Sequence, residues 1–133
     1  ISQILALRAR EVMGVEIVEE AVRAAENNAR INGLDNCHFL CGDVFEVLDR
    51  TAKRPDVIVV DPPRVGMSLK AVEKIIGYGV PQIVYISCNP KTLAINLQQF
   101  AYGGYGAVYA KPFDNFPGTR HTECIVLLEK TEK

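Results

Sequence analysis

A cysteine beyond an apolar run is the residue of this sequence with the clearest capacity for covalent chemistry. The β-branched run at 83–86 (IVYI) predicts a buried strand, and Cys88 follows closely. Asn89 can cap the next helix, and Pro90 suits its first turn, where a missing N–H costs nothing. Backbone N–H groups and the dipole at a helix N-terminus favour the thiolate, the form of cysteine that attacks carbon. Cys88 is therefore a candidate nucleophile, with a small hydrophobic core residue as the alternative.

Acidic residues end or follow other predicted strands. Glu16 ends the first strand, where a carboxylate can accept hydrogen bonds from both hydroxyls of a nucleotide ribose. Asp43 follows the second strand and could contact an adenine amino group or merely cap the helix behind it. The two acids together fit an adenosine site better than either does alone.

The segment DPPRVG at 61–66 follows a continuous apolar strand and is a more specific indication of a binding site than the two acids. Two prolines exclude a helix interior and a strand ladder, so they predict a rigid loop where a substrate would meet a cofactor. Asp61 could accept hydrogen bonds from a planar heterocycle, and Arg64 could hold a phosphate or pair with Asp61. A purely structural Pro-Pro turn is the alternative.

The elements that would position these residues alternate between strand and helix. Strands are predicted at 11–16, 37–41, 56–60 and 83–87, with helices at 1–10, 19–32, 43–50, 69–76 and 90–101. Gly77 and Gly79 are expected to end the fourth helix. Two last strands, at 105–110 and 124–130, have only a loop between them and should pair antiparallel. The pattern predicts an α/β fold with a doubly wound, mostly parallel sheet and a C-terminal antiparallel hairpin, with ligands at the carboxyl ends of the parallel strands.

The composition excludes several classes of protein. With 133 residues, of which 48% are hydrophobic and 23% charged, the chain predicts one globular domain. No apolar run reaches the roughly 18 residues of a membrane span, and the net charge of −1 leaves any nucleic-acid partner to a local patch or another domain. The four cysteines lack CxxC spacing and a histidine cluster, which favours reduced thiols in a cytoplasmic protein without disulfide or metal.

Three segments, in the order DPPRVG, YISCNPKTL and FPGTRHTECIVLL, resemble the RNA uracil-5 methyltransferases that use S-adenosylmethionine. The resemblance implies a Rossmann-like class I methyltransferase sheet, S-adenosylmethionine as cofactor and RNA as partner. The implied activity is methyl transfer to C5 of a uridine in ribosomal or transfer RNA, with 23S rRNA the expected substrate.

The resemblance also implies roles for individual residues. Cys88 matches the cysteine that attacks C6 of uracil, and Glu123 matches the glutamate that removes the C5 proton. Asp61 and Arg64 match residues of the site around the uracil. The chemistry needs both catalytic groups, because C5 is a poor nucleophile until a thiolate adds at C6, and the cysteine leaves only after a base removes the C5 proton.

Residues 14–43 resemble the cofactor-binding part of the same family. Glu16 and Asp43, together with Asp61, are the cofactor-binding residues that the resemblance implies. The family's glycine-rich loop and first, central strand would precede this part. We therefore expect residues 1–133 to be a partial methyltransferase domain from the C-terminal, catalytic part of a larger enzyme, inactive and weak in cofactor binding when isolated.

Other functions differ at identifiable positions. RNA cytosine-5 methyltransferases have a cysteine where Arg64 stands, amino-group methyltransferases have an aromatic residue there, and a dehydrogenase needs a GxGxxG turn that this sequence lacks. Ile95 and Asn96 depart from the uracil-5 family, which has an Arg-Asp pair at these positions. A non-catalytic nucleotide- or RNA-binding module is the alternative function, and the intact Cys88 and Glu123 argue against it.

Overall fold

The computed structural model describes residues 1–50 and 54–131 and divides the chain into two compact units. Unit 1 is Ile1–Ala52 and unit 2 is Lys53–Lys133. The described strands form a two-stranded sheet in unit 1 and a four-stranded sheet in unit 2. Strands alternate with helices until the C-terminal hairpin, so the predicted α/β class with parallel strands and an antiparallel end is confirmed.

Unit 1 builds its sheet from one parallel pair of strands. Its described elements are α1 (Ser2–Ala6), β1 (Val12–Glu16), α2 (Glu19–Ile31), β2 (Cys37–Cys41) and α3 (Val44–Arg50). The register places Glu16 opposite Cys41. The helix predicted over 1–10 is wrong in length, because residues 7–10 form turns and bends. The Asn36 side-chain amide donates to the carbonyls of Ala6 and Ala9, both at 2.9 Å, and so takes over acceptors at the helix end.

Unit 2 adds two antiparallel strands to a parallel pair. Its described elements are β3 (Val57–Val60), α4 (Leu69–Tyr78), β4 (Gln82–Ser87), α5 (Pro90–Tyr102), β5 (Tyr105–Phe113) and β6 (Glu123–Lys130). The strand order is β3-β4-β6-β5, with β3 parallel to β4 and β6 antiparallel to both of its neighbours. The last strand along the chain therefore lies inside the sheet, next to the strand that leads to Cys88.

The helices of unit 2 begin and end largely where the sequence predicts. The Ser68 hydroxyl caps α4 by accepting from the Ala71 amide at 3.2 Å, and Asn89 caps α5. The prediction that Gly77 helps to end α4 is wrong, because the helix continues through it to Tyr78. Gly79 ends α4 instead, with a φ of 65° in the left-handed region that glycine adopts without strain.

Three aromatic rings fill the core between α5 and the sheet. Phe100 packs edge-on against Tyr85 and Tyr105, with ring centroids 6.4 and 6.3 Å apart, and all three side chains are fully buried. The face that α5 buries carries Leu93, Asn96 and Phe100. A polar residue, Asn96, therefore shares the buried face of the helix with two apolar ones.

Candidate active site

The register of β4 and β6 brings the predicted nucleophile and the predicted base to the same end of the sheet. The last registered pair is Ser87 with Cys124. Cys88 follows Ser87 in a bend just past the end of β4, and Glu123, the residue before Cys124, is the first residue of β6. The two residues therefore both lie next to the last registered pair of the two strands. Both residues are half-buried at this end of the sheet.

Asp61 reaches the same end of the sheet from the other side of β4. Val60 is registered with Tyr85 in the parallel pair, and Asp61 is the next residue of the chain. Because β4 lies between β3 and β6, Cys88 follows the strand that lies between the strand leading to Asp61 and the strand that begins at Glu123. Three of the predicted site residues therefore lie along one sheet edge.

The first turn of α5 holds the backbone of the DPPRVG loop. The carbonyl of Arg64 accepts from the Asn89 side-chain amide at 2.9 Å and from the Thr92 hydroxyl at 3.1 Å. Asn89 also caps the helix by accepting from the Lys91 amide at 3.2 Å. The side chains of Asp61 and Arg64 are exposed, and within residues 1–50 and 54–131 neither makes an ion pair or hydrogen bond. Both side chains are therefore open to solvent at this end of the sheet.

Asn96 holds the far end of the loop through a buried network that sequence reasoning missed. Its Oδ1 accepts from the Met67 amide at 2.9 Å and from the Tyr85 hydroxyl at 2.7 Å. Its Nδ2 donates to the Met67 carbonyl at 2.9 Å and to Gln99 Oε1 at 2.8 Å. One signal was available, since Asn89, Thr92 and Asn96 recur at three- and four-residue spacing and form a polar stripe along the helix.

Gly66 is required where the loop meets this network. Its φ is +74°, and a Cβ there would lie 2.8 Å from Asn96 Oδ1 and 3.1 Å from Thr92 Cβ. Its amide closes a tight turn by donating to the Pro63 carbonyl at 2.8 Å. The last residue of DPPRVG therefore allows the close approach of loop and helix.

Burial raises the pKa values of two side chains near this end of the sheet, Tyr85 and Cys124. Burial, and secondarily the charge of the nearby Cys88, raises the pKa of Tyr85 to about 12, so its hydroxyl stays protonated and donates to Asn96. Burial also raises the pKa of the Cys124 thiol. Cys124 is therefore poorly suited to act as a thiolate at neutral pH.

In unit 1, Glu16 and Asp43 lie at the carboxyl edge of the parallel pair. The Gly42 amide donates to the Glu16 carbonyl at 3.0 Å and joins the two strand ends. Glu16 Oε1 accepts from the amides of Ile17 and Val18 at 2.8 and 3.0 Å, which leaves Oε2 to accept from a ligand. Asp43 Oδ1 accepts from the Phe45 and Glu46 amides at 2.9 and 3.3 Å, so the capping role is confirmed.

Among the described residues, no group of three or more His, Cys, Asp or Glu side chains could hold a metal ion. The described helices include none that is long and apolar enough to cross a membrane. All four cysteines are free thiols.

The fold is that of the Rossmann-like methyltransferases. The crystal structure of Pyrococcus abyssi tRNA (uracil-54, C5)-methyltransferase in complex with S-adenosyl-L-homocysteine matches with a TM-score of 0.82 and 32% identity. The match covers 95% of this chain and 30% of that one. The predicted class I architecture is thereby confirmed.

The family follows from the sequence comparisons. The tRNA (uracil-5-)-methyltransferase family model matches residues 44–131. Uncharacterized RNA methyltransferases of Clostridium tetani and Clostridium acetobutylicum are 45% and 44% identical over 99% and 98% of the chain. The chain belongs to the tRNA (uracil-5-)-methyltransferase family, as the three motifs indicated. It spans 29% and 28% of the lengths of these two relatives.

Proposed function

We propose that the full-length protein containing this chain transfers a methyl group from S-adenosylmethionine to C5 of a uridine in RNA. The observation that carries the proposal is the β4–β6 register, which brings Cys88 and Glu123 to the same end of the sheet, each next to the last registered pair. A nucleophile and a base on adjacent strand ends suit addition followed by elimination on one face of a small ring. The substrate that we propose is 23S ribosomal RNA or transfer RNA.

Cys88 acts as the nucleophile. Its sulfur forms a bond to C6 of the uracil, and the C5–C6 π electrons move toward O4, which leaves an enolate with a nucleophilic C5. The position of Cys88 supports this role, because it is half-buried between the end of β4 and the N-terminus of α5, at the carboxyl end of the parallel pair where ligands bind in such sheets.

Glu123 acts as the base of the second half of the reaction. Once C5 carries the methyl group, the carboxylate takes the C5 proton, the C5–C6 double bond re-forms, and Cys88 leaves as a thiolate. Among the described residues Glu123 has no hydrogen-bond or ion-pair partner for its side chain, so its carboxylate is free to accept the proton.

Asp61 and Arg64 hold the substrate. A carboxylate can accept a hydrogen bond from the N3–H of uracil, and a guanidinium can bind a backbone phosphate through a pair of hydrogen bonds. Both side chains are exposed on a loop whose backbone α5 holds at Arg64, so the loop can present them without being remodelled.

Residues of unit 1 fit the nucleoside end of S-adenosylmethionine, which supplies an electrophilic methyl group when it is bound. The free Oε2 of Glu16 is an acceptor suited to ribose hydroxyls. Ile17, with 70% of its surface exposed, and Val44 offer apolar contact for a purine. Asp43 still has Oδ2 to accept from an adenine amino group. These two acceptors and the apolar surface therefore suit the cofactor.

Replacing Glu16 by glutamine should weaken cofactor binding. The change removes the charge while keeping a carbonyl oxygen for the Ile17 and Val18 amides, so we expect the Kd for S-adenosylmethionine to rise about tenfold. Calorimetric titration of the full-length protein measures the Kd. Glu20→Gln, an exposed acid in the first turn of α2, is the matched control. An unchanged Kd for Glu16→Gln would contradict the proposed contact.

The activity itself is tested by nucleoside analysis. We expect the full-length protein with S-adenosylmethionine to form 5-methyluridine in unmodified 23S rRNA or tRNA, detected by mass spectrometry after digestion to nucleosides. Formation of 5-methylcytidine or an N-methylated base would refute the proposed reaction. RNA or cofactor binding with no methylated nucleoside in either RNA would favour the non-catalytic module.

A further inference from the structure

We propose that Asn96 is a positioning residue that fixes the DPPRVG loop, and with it Arg64, relative to Cys88. This inference rests on the proposed function and adds a residue that touches neither uracil nor cofactor. Efficient methyl transfer then requires the side-chain amide of Asn96, because only an amide both donates and accepts hydrogen bonds at this position.

The hydrogen bonds of Asn96 require a carboxamide. Its Oδ1 accepts from the Met67 N–H and its Nδ2 donates to the Met67 carbonyl, so both backbone groups of one residue are bound by one side chain. The family's aspartate at this position comes with an arginine beside it, where this chain has Ile95. In this chain a carboxylate of the same shape could accept from the amide but would face the Met67 carbonyl with a second acceptor. Only 2% of the surface of Asn96 is exposed, so water cannot readily replace a lost partner.

The same side chain is tied to the strand that leads to Cys88. Tyr85, on β4 three residues before Cys88, donates its hydroxyl to Asn96 Oδ1 at 2.7 Å, and its ring is locked against Phe100. Met67, Asn96 and Tyr85 therefore connect the loop, α5 and β4 through consecutive buried hydrogen bonds.

The loop is thus held at two points by elements that also hold the nucleophile. Asn89, next to Cys88, and Thr92 hold the Arg64 carbonyl, while Asn96 holds Met67 three residues further on. The Arg64 side chain has no partner of its own among the described residues, so its position depends on this backbone attachment. Loosening Met67 should misplace Arg64 without changing any reacting atom.

Asn96→Asp tests the inference, because it keeps the shape and the acceptors and removes the two donors. In the full-length protein we expect the kcat for methyl transfer to fall about tenfold while the Kd for S-adenosylmethionine stays unchanged. In a double-mutant cycle with Arg64→Ala, the two losses should be strongly non-additive, since Asn96 acts through Arg64. Additive losses would overturn the positioning role.

Two tyrosines provide a matched pair in case Asn96→Asp folds poorly. Tyr85→Phe and Tyr105→Phe each remove one buried 2.7 Å hydrogen bond from a ring packed on Phe100, but Tyr105 donates to the Val80 carbonyl outside the loop network. The two variants should lose a similar amount of thermal stability, but only Tyr85→Phe should lower the kcat for methyl transfer. Equal effects of the two variants on kcat would show that the network matters for stability alone.

Hydrogen exchange decides the structural part of the inference whether or not a uridine is methylated. The Gly66 and Met67 amides, which donate to Pro63 and Asn96, should exchange at least tenfold faster in Asn96→Asp than in wild type or Tyr105→Phe. Unchanged exchange would refute positioning by Asn96. A wild-type protein that makes no 5-methyluridine would instead refute the proposed function, with the exchange result still standing.

Discussion

Replacing Cys88 by alanine is expected to abolish methyl transfer by the full-length protein, with a loss on the order of 10⁴-fold or more, because no other group activates C5 of uracil. RNA that contains 5-fluorouridine should trap the wild-type enzyme as a covalent adduct, since fluorine at C5 cannot leave as a proton does. The alanine variant should form no adduct. Denaturing gel electrophoresis separates the adduct from free protein.

Cys124→Ala is the matched control for this experiment. Cys124 is registered with Ser87 at the same end of the sheet, but burial raises the pKa of its thiol, so it should not supply the attacking thiolate. We expect this variant to retain adduct formation. An adduct that persists in Cys88→Ala and disappears in Cys124→Ala would transfer the nucleophilic role to the other cysteine.

Local signals explain why much of the fold could be predicted. The apolar run at 83–86 is a strand of β-branched residues, and Ser68 and Asn89 cap the helices that follow their loops. The length of α1 could not be predicted this way, because its end depends on Asn36, which is about 30 residues away in sequence. A contact between residues so far apart in sequence does not appear in the local pattern of polar and apolar residues around the helix end.

The candidate site likewise combines features that the local sequence predicts with features that depend on distant contacts. The motifs indicate Cys88 and Glu123 as candidate residues, but their place at one end of the sheet is a consequence of the β4–β6 register, which no local pattern specifies. The β-bulge between Ala107 and Tyr109 shifts the register of the neighbouring strand β5 in an equally unpredictable way. The sequence distinguishes Asn96 only as a departure from the family, because its partner Met67 is 29 residues away.

Replacing Glu123 by glutamine should stop the reaction after methyl transfer. Cys88 can still add to C6 and C5 can still be methylated, but an amide cannot take the C5 proton, so elimination should slow by about 10²–10⁴-fold. A covalent adduct between the protein and methylated RNA should therefore accumulate, the opposite of the result expected for Cys88→Ala. Mass spectrometry of the variant incubated with RNA and S-adenosylmethionine detects the adduct as protein plus RNA plus one methyl group.

Glu129→Gln is the matched control, because Glu129 lies on the same strand and accepts a hydrogen bond from the Gln82 amide at 2.9 Å, far from Cys88 along β4. It should release methylated RNA at the wild-type rate. Free product at the normal rate from Glu123→Gln would exclude Glu123 as the base. The β4–β6 register would then have a structural role only. Accumulation in Glu123→Gln alone would assign the proton removal to Glu123, at the end of β6 that lies beside the strand leading to Cys88.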